Sequence, residues 1–124
     1  MATLISVKPL VHPALEDVTV EGILHALSDT TRVQIFAQIA DSDRSANCST
    51  FTHVAGKEIP KSTLSQHFKV LRESGLVRSE RVGVEMQNTS RCREIEGRFP
   101  GLIPAIVSSL KTQASQRAAK RKPR

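Results

Sequence analysis

Tryptophan and tyrosine are absent from the 124 residues, and only four phenylalanines supply aromatic surface. Proteins that hold unpaired nucleic acid stack its bases on aromatic side chains, so this composition argues against that class. Cysteine occurs twice, at Cys48 and Cys92, too few for a disulfide framework. No stretch approaches the ~20 apolar residues that cross a bilayer. The opening MATLISVKPLVHPALE is broken by prolines and lacks the charged-then-apolar order of a secretory signal. A cytoplasmic chain with no membrane partner is the expectation. Glycine-rich phosphate loops, Ser/His/Asp arrangements and paired carboxylates are also missing, so neither an enzyme nor a cofactor is expected. Internal repeats are absent as well.

What is present is a basic excess, unevenly placed. The formal net charge is +6, but six of the 18 basic residues lie within the last fourteen positions, where there is no acid. Residues 1–43 carry two basic and six acidic groups, net −4, while residues 44–98 carry ten against six, net +4. A basic centre within a body that is neutral as a whole points to a localised face for a polyanion. The hydrophobic fraction of 39% suffices for one small core, and a chain this short gains by sharing apolar surface with a second copy.

The periodicity divides the chain into an irregular arm (1–14), a folded body (15–111) and a basic tail expected to be disordered (112–124). Val20, Ile23, Leu24 and Leu27 recur at helical spacing and predict a helix over 17–27. SDTT supplies capping chemistry for a second helix driven by Val33, Ile35, Phe36 and Ile39. DSDRSANCST is polar and predicts a loop. A short helix is expected over 49–55, with Phe51 and Val54 inward and Gly56 as its stop. Ser62 to Ser74 predicts a further helix, closed by Gly75. LVRSERV and VEMQNTS, on either side of Gly83, predict a two-stranded hairpin. Arg91 to Phe99 is expected to be a connector. Leu102, Ile103, Ile106, Val107 and Leu110 then mark a last amphipathic helix.

The stretch KSTLSQHFKVLRESGLVRSERVGVE carries the most chemistry. At 100° per residue, Leu64, Phe68 and Leu71 fall within roughly 40° of one line. Ser62, Gln66, Lys69 and Glu73 lie opposite, with Ser65 and Arg72 on a flank. Such a helix buries its Leu/Phe stripe and presents hydroxyls, an amide and an ammonium together. Short polar side chains of this kind meet base edges in a major groove, while Lys61, Lys69 and Arg72 suit phosphates. A short helix, a turn and this helix form a helix-turn-helix. The basic hairpin behind it is a wing that places Arg78 and Arg81 near the duplex backbone or minor groove.

LSDTTRVQIF (27–36) together with STLSQHFKVLRESGLV (62–77) resembles the ArsR/SmtB family of winged helix-turn-helix repressors. The resemblance covers roughly residues 17–110. It implies a mostly α fold with a small β-hairpin, dimeric through its first and last helices, and a homodimer on a palindromic operator of double-stranded DNA that an inducer releases. The positions matching the family's base readers are Lys61, Ser62, Ser65 and Gln66; with Thr63, Lys69, Arg72, Arg78 and Arg81 they make up the expected DNA-binding set. The expected dimer interface is Val20, Ile23, Leu24, Ile103, Ile106, Val107 and Leu110. Two departures bear on the inducer. The Cys-x-Cys pair of the family's metalloid sensors is missing, and the last helix, GLIPAIVSSLKTQASQ, has none of the Asp, His or Glu ligands of its zinc sensors. No metal is therefore assigned, and the inducer is unknown.

The remaining candidates are sparse. Cys48 and His53 offer two ligands where zinc takes about four, and they are also the one nucleophile–base pair on which a hydrolase could be built. Cys48 and Cys92 form a possible redox pair, with Arg91 and Arg93 placed to favour a thiolate at Cys92. His67 is expected at a packing edge, and His12 and His25 show no partner. The alternative function is a winged-helix protein-interaction module with non-specific nucleic-acid affinity.

Overall fold

The computed structural model describes residues 10–41, 46–47, 53–54 and 57–121. A 3-10 turn at Leu15–Asp17 precedes α1 (Val20–Ala26) and α2 (Thr30–Asp41). Three two-residue strands follow, β1 (Ala46–Asn47), β2 (His53–Val54) and β3 (Lys57–Glu58). Then come α3 (Lys61–Glu73), the hairpin β4 (Val77–Val82) and β5 (Glu85–Ser90), α4 (Cys92–Arg98) and α5 (Leu102–Arg121).

The caps explain where the first helices start. Thr19 is extended, and its Oγ1 accepts the Gly22 N–H at 3.0 Å, so α1 begins three residues later than its apolar spacing predicts. Asp29 of the SDTT run caps α2 by accepting the Arg32 N–H at 3.0 Å. From there Val33, Ile35, Phe36 and Ile39 turn into the core.

Helix α3 packs against α2 and β4 through Leu64, Phe68 and Leu71, each at most 3% exposed. It closes in a Schellman turn. The Leu76 N–H donates to the Leu71 carbonyl, the Gly75 N–H to that of Arg72, and Gly75 takes φ +89°. Two constraints meet at Gly75, because a Cβ there would also overlap Val18 Cγ2. Gly75→Ala is therefore expected to cost about 2–4 kcal/mol, left-handed strain plus overpacking. Gly83 at the hairpin tip has φ +65° but open space around it, and Gly83→Ala should cost only about 1 kcal/mol. Urea titration of the two variants checks the contrast; equal losses would refute the Val18 overlap.

The expected hairpin is formed, with Val82 opposite Glu85 and Val77 opposite Ser90 around a two-residue loop. Its sheet has a third strand that the polar loop concealed: β1 pairs with β5, Ala46 opposite Asn88. At its centre Asn88, fully buried, accepts the Ser79 hydroxyl hydrogen at 2.6 Å.

Three expectations need correction. The helix over 49–55 is not formed where the chain is described: His53–Val54 pairs antiparallel with Lys57–Glu58. β-branched Val54 suits a strand, and the rest of the 49–55 expectation, with Phe51 and the Gly56 stop, lies outside the described residues. The connector at 91–99 is helix α4, with Ile95 wholly buried beneath it. Finally, α5 does not stop near 111 but continues to Arg121; residues 111–120 are all exposed. Ala, Gln, Lys and Arg are good helix formers, so this segment extends the turn before it without needing a core contact. Among the described residues, no helix is long and apolar enough to cross a membrane.

Candidate nucleic-acid interface

Helix α3 and the wing put most of the expected DNA-binding residues on one side. Ser62, Gln66 and Lys69 are exposed, as their helical angles predict; Lys61, Thr63 and Ser65 are exposed too, and Arg72 is half-buried at the flank. Lys61, Ser65 and Arg72 line a crevice of about 460 Å³, across which stand Arg81, Val84 and Glu85 of the wing. Val84, 94% exposed, is the wing's apolar tip. The crevice brings cations of α3 and of the hairpin to a common opening.

Arg78 is not among them. Its guanidinium turns toward α4 and bonds Glu94 at 3.1 Å, while buried Arg91 holds the other Glu94 oxygen at 2.8 Å. The hydrogen bond from Arg91, with the charges of both arginines, holds the Glu94 carboxyl below its ordinary range. Arg78 and Arg91 thus act first as ties between the wing and α4.

Arg32 is a positioning residue that the periodicity missed. Its guanidinium donates to the carbonyls of Ala26 at 2.7 Å and His25 at 3.3 Å, occupying the open C-terminal end of α1. Its Nη1 lies 3.4 Å from His67 Nδ1 on α3. Arginine has only donors, so the imidazole accepts. His67 is therefore the packing-edge histidine expected, and it links α3 to α2. The available signal was the arginine following SDTT, one turn inside a helix start.

Arginines from the far end of the body also pin the segment before α1. Arg91 Nη1 donates to the Pro13 carbonyl at 2.9 Å, and Arg98 Nη1 to the carbonyls of Leu15, at 2.6 Å, and Val18. The Arg98 guanidinium also stacks over the Phe99 ring at 4.7 Å. These long-range ties have no local sequence signature.

The redox reading meets two obstacles. Cys48 lies outside the described residues. Cys92 is partly buried, and burial pushes its thiol up rather than down, with Glu96 adding to the effect against a hydrogen bond with Ser90. The flanking arginines do not reverse this, since Arg91 is engaged by Glu94 and Pro13. Cys92 lines an apolar cavity of about 450 Å³ between Ala40, Ile103, Pro104 and Val107. For His53 only its backbone place in β2 is described.

The expected dimer residues fall into two groups. Ile23 and Ile103, 0% and 6% exposed, belong to the core of the single chain. Leu24 is 49% exposed, and Val20, Ile106, Val107 and Leu110 are half-buried. Only the second group leaves apolar surface for a partner.

A family model described as a helix-turn-helix domain matches residues 27–80, from the end of α1 through α2 and α3 into β4. An ArsR-like transcriptional regulator from Rhodococcus sp. RHA1 superposes with a TM-score of 0.52 at 20% identity, over 81% of this chain and 86% of that one. A second structure, of an ArsR family transcriptional regulator, gives 0.53 at 16% identity over 91% of this chain and all of the other. No curated protein has a matching sequence. Residues 27–80 thus match a helix-turn-helix domain, and the chain has the winged helix-turn-helix fold of the ArsR-like transcriptional regulators.

Proposed function

We propose that the protein is a homodimeric repressor that binds a palindromic operator and leaves it when an inducer binds. One observation carries the DNA reading: Ser62, Ser65, Gln66 and Lys69 are exposed together on α3 beside a crevice whose other wall bears Arg81. Hydroxyl and amide groups on an exposed helix face match the donors and acceptors of a major groove, and the cations at its edge match phosphates. In this reading α3 specifies sequence through Ser62, Thr63, Ser65 and Gln66. Lys61, Lys69, Arg72 and Arg81 set the register, and Arg78 supports the wing. A two-fold dimer then presents two such helices to half-sites ~34 Å apart. The exposed basic run of α5, with Arg117 and Lys120, adds sequence-independent attraction.

Selection of duplexes from a randomised pool tests the reading. An enriched inverted repeat is expected. Ser65→Ala and Gln66→Ala should each lose about 1–3 kcal/mol of preference for it over scrambled DNA while keeping the parent's stability. A pool that yields no enriched site would favour the protein-interaction alternative; an unchanged preference in both variants would move the recognition face elsewhere.

A further inference from the structure

The segment before α1 is built into the face just described. Leu10 lines the crevice between α3 and the wing, in company with Lys61, Ser65, Arg72 and Arg81. Two residues later, His12 Nε2 accepts the backbone N–H of Ser79 at 2.9 Å, and the Pro13 carbonyl then accepts from Arg91. The Ser79 amide belongs to β4, in the middle of the wing. The chain thus ties itself to the wing at Ser79 and fills the wing–helix gap at Leu10.

We infer that Leu10–Pro13 is a strut of the DNA-binding face, which sets the spacing of wing and recognition helix and is latched by a neutral His12. This rests on the DNA-binding reading given above. The physical case begins with the gap itself. Leu64, Phe68 and Met86 also border the crevice, so withdrawing Leu10 opens apolar surface between helix and wing. A wing released on that side loses the fixed placement of Arg81, and its contacts to DNA must then be bought with ordering entropy.

The latch requires an unprotonated Nε2, because an N–H donor can be met only by a lone pair. A protonated ring would oppose the Ser79 N–H with an N–H of its own. It would also add a positive charge among Arg78 of β4, Arg72 of α3 and Arg91 ahead of α4, the last two elements being packed around the same segment. Glu94 is the nearby carboxylate, and it is engaged by Arg78 and Arg91. Burial, then these arginines, hold the His12 imidazole below its ordinary range, against a hydrogen bond with the Leu10 backbone. The latch is complete above the ordinary imidazole pKa of about 6.5 and is lost as the pH falls through the lower native value.

The test uses the full chain and the duplex enriched in the pool selection, with the parent, His12→Gln and His12→Ala. Glutamine retains an uncharged acceptor and alanine does not. At about pH 8, His12→Ala should bind about three- to tenfold more weakly than the parent, the worth of one net hydrogen bond. Its Ser79 amide should exchange with solvent correspondingly faster in the absence of DNA. As the pH falls from about 8 through the range in which the His12 imidazole gains its proton, the parent should lose affinity by several-fold more than His12→Gln, which keeps every other titrating group. Equal or tighter binding by His12→Ala would overturn the strut, the tighter result making the segment an inhibitor. A Ser79 amide equally protected in His12→Ala would overturn the latch. If the parent enriches no duplex at all, the DNA reading fails first, and the Ser79 exchange still judges the latch by itself.

Discussion

Phe68→Ala should lower the unfolding free energy by about 3–5 kcal/mol, the cost of emptying a closed aromatic site in a core. Phe68 is 1% exposed and lies on the inner stripe of α3 between Leu64 and Leu71. It is one of four phenylalanines in a chain without tryptophan or tyrosine, so no other large ring can move in to fill the space. The loss is a large part of the ~5–15 kcal/mol that holds a domain of this size together. Urea unfolding followed by circular dichroism measures it, with Phe68→Leu as the control expected to lose less than about 1.5 kcal/mol. A Phe68→Ala loss below about 1 kcal/mol would mean that α3 is not anchored through this ring. The consequence for function is direct, because the outward residues Ser65 and Gln66 sit on the same two turns whose inner side Phe68 fixes.

The second large effect concerns assembly. In the proposed homodimer, α5 and α1 supply the contact through Val20, Leu24, Ile106, Val107 and Leu110. Ile106→Glu should leave sedimentation at the monomer mass, since a desolvated carboxylate without a partner cannot be accommodated in an apolar contact. Operator affinity should fall about a hundredfold or more, the gain that two linked half-site contacts have over one. Ile106 also touches the core of its own chain, so Leu24→Glu is the cleaner variant. Its side chain is about half exposed, so its replacement should leave the monomer folded. A dimer that survives Leu24→Glu and Ile106→Glu at micromolar concentration refutes this interface.

The residues read from periodicity alone divide along the same line as these effects. The inner stripe of α3, its exposed polar face, the Gly75 stop and the hairpin around Gly83 were all legible, because each depends on neighbours within four residues. A 3.6-residue period, a positive φ and a two-residue turn are local properties. The apolar stripe of α5 was legible for the same reason, although its length was not: nothing in a polar Ala, Gln and Lys run distinguishes a helix that continues from one that frays.

Sequence by itself determined that α3 would be two-faced and that a basic hairpin would follow it. Tertiary structure decided which side chains are left free. Ile23 and Ile103 read as interface residues but are consumed by the core, since apolar surface goes to whichever neighbour covers it first. Arg78 read as a phosphate contact but is turned to Glu94, sixteen residues away. His12 read as a residue without a partner, yet it meets an amide 67 positions on. The strand at Ala46–Asn47 exists only because β5 offers an edge to pair with. Pairings of this kind close long loops, and no short window of sequence contains both partners; only the folded chain brings them within the few ångströms over which a hydrogen bond or an ion pair acts.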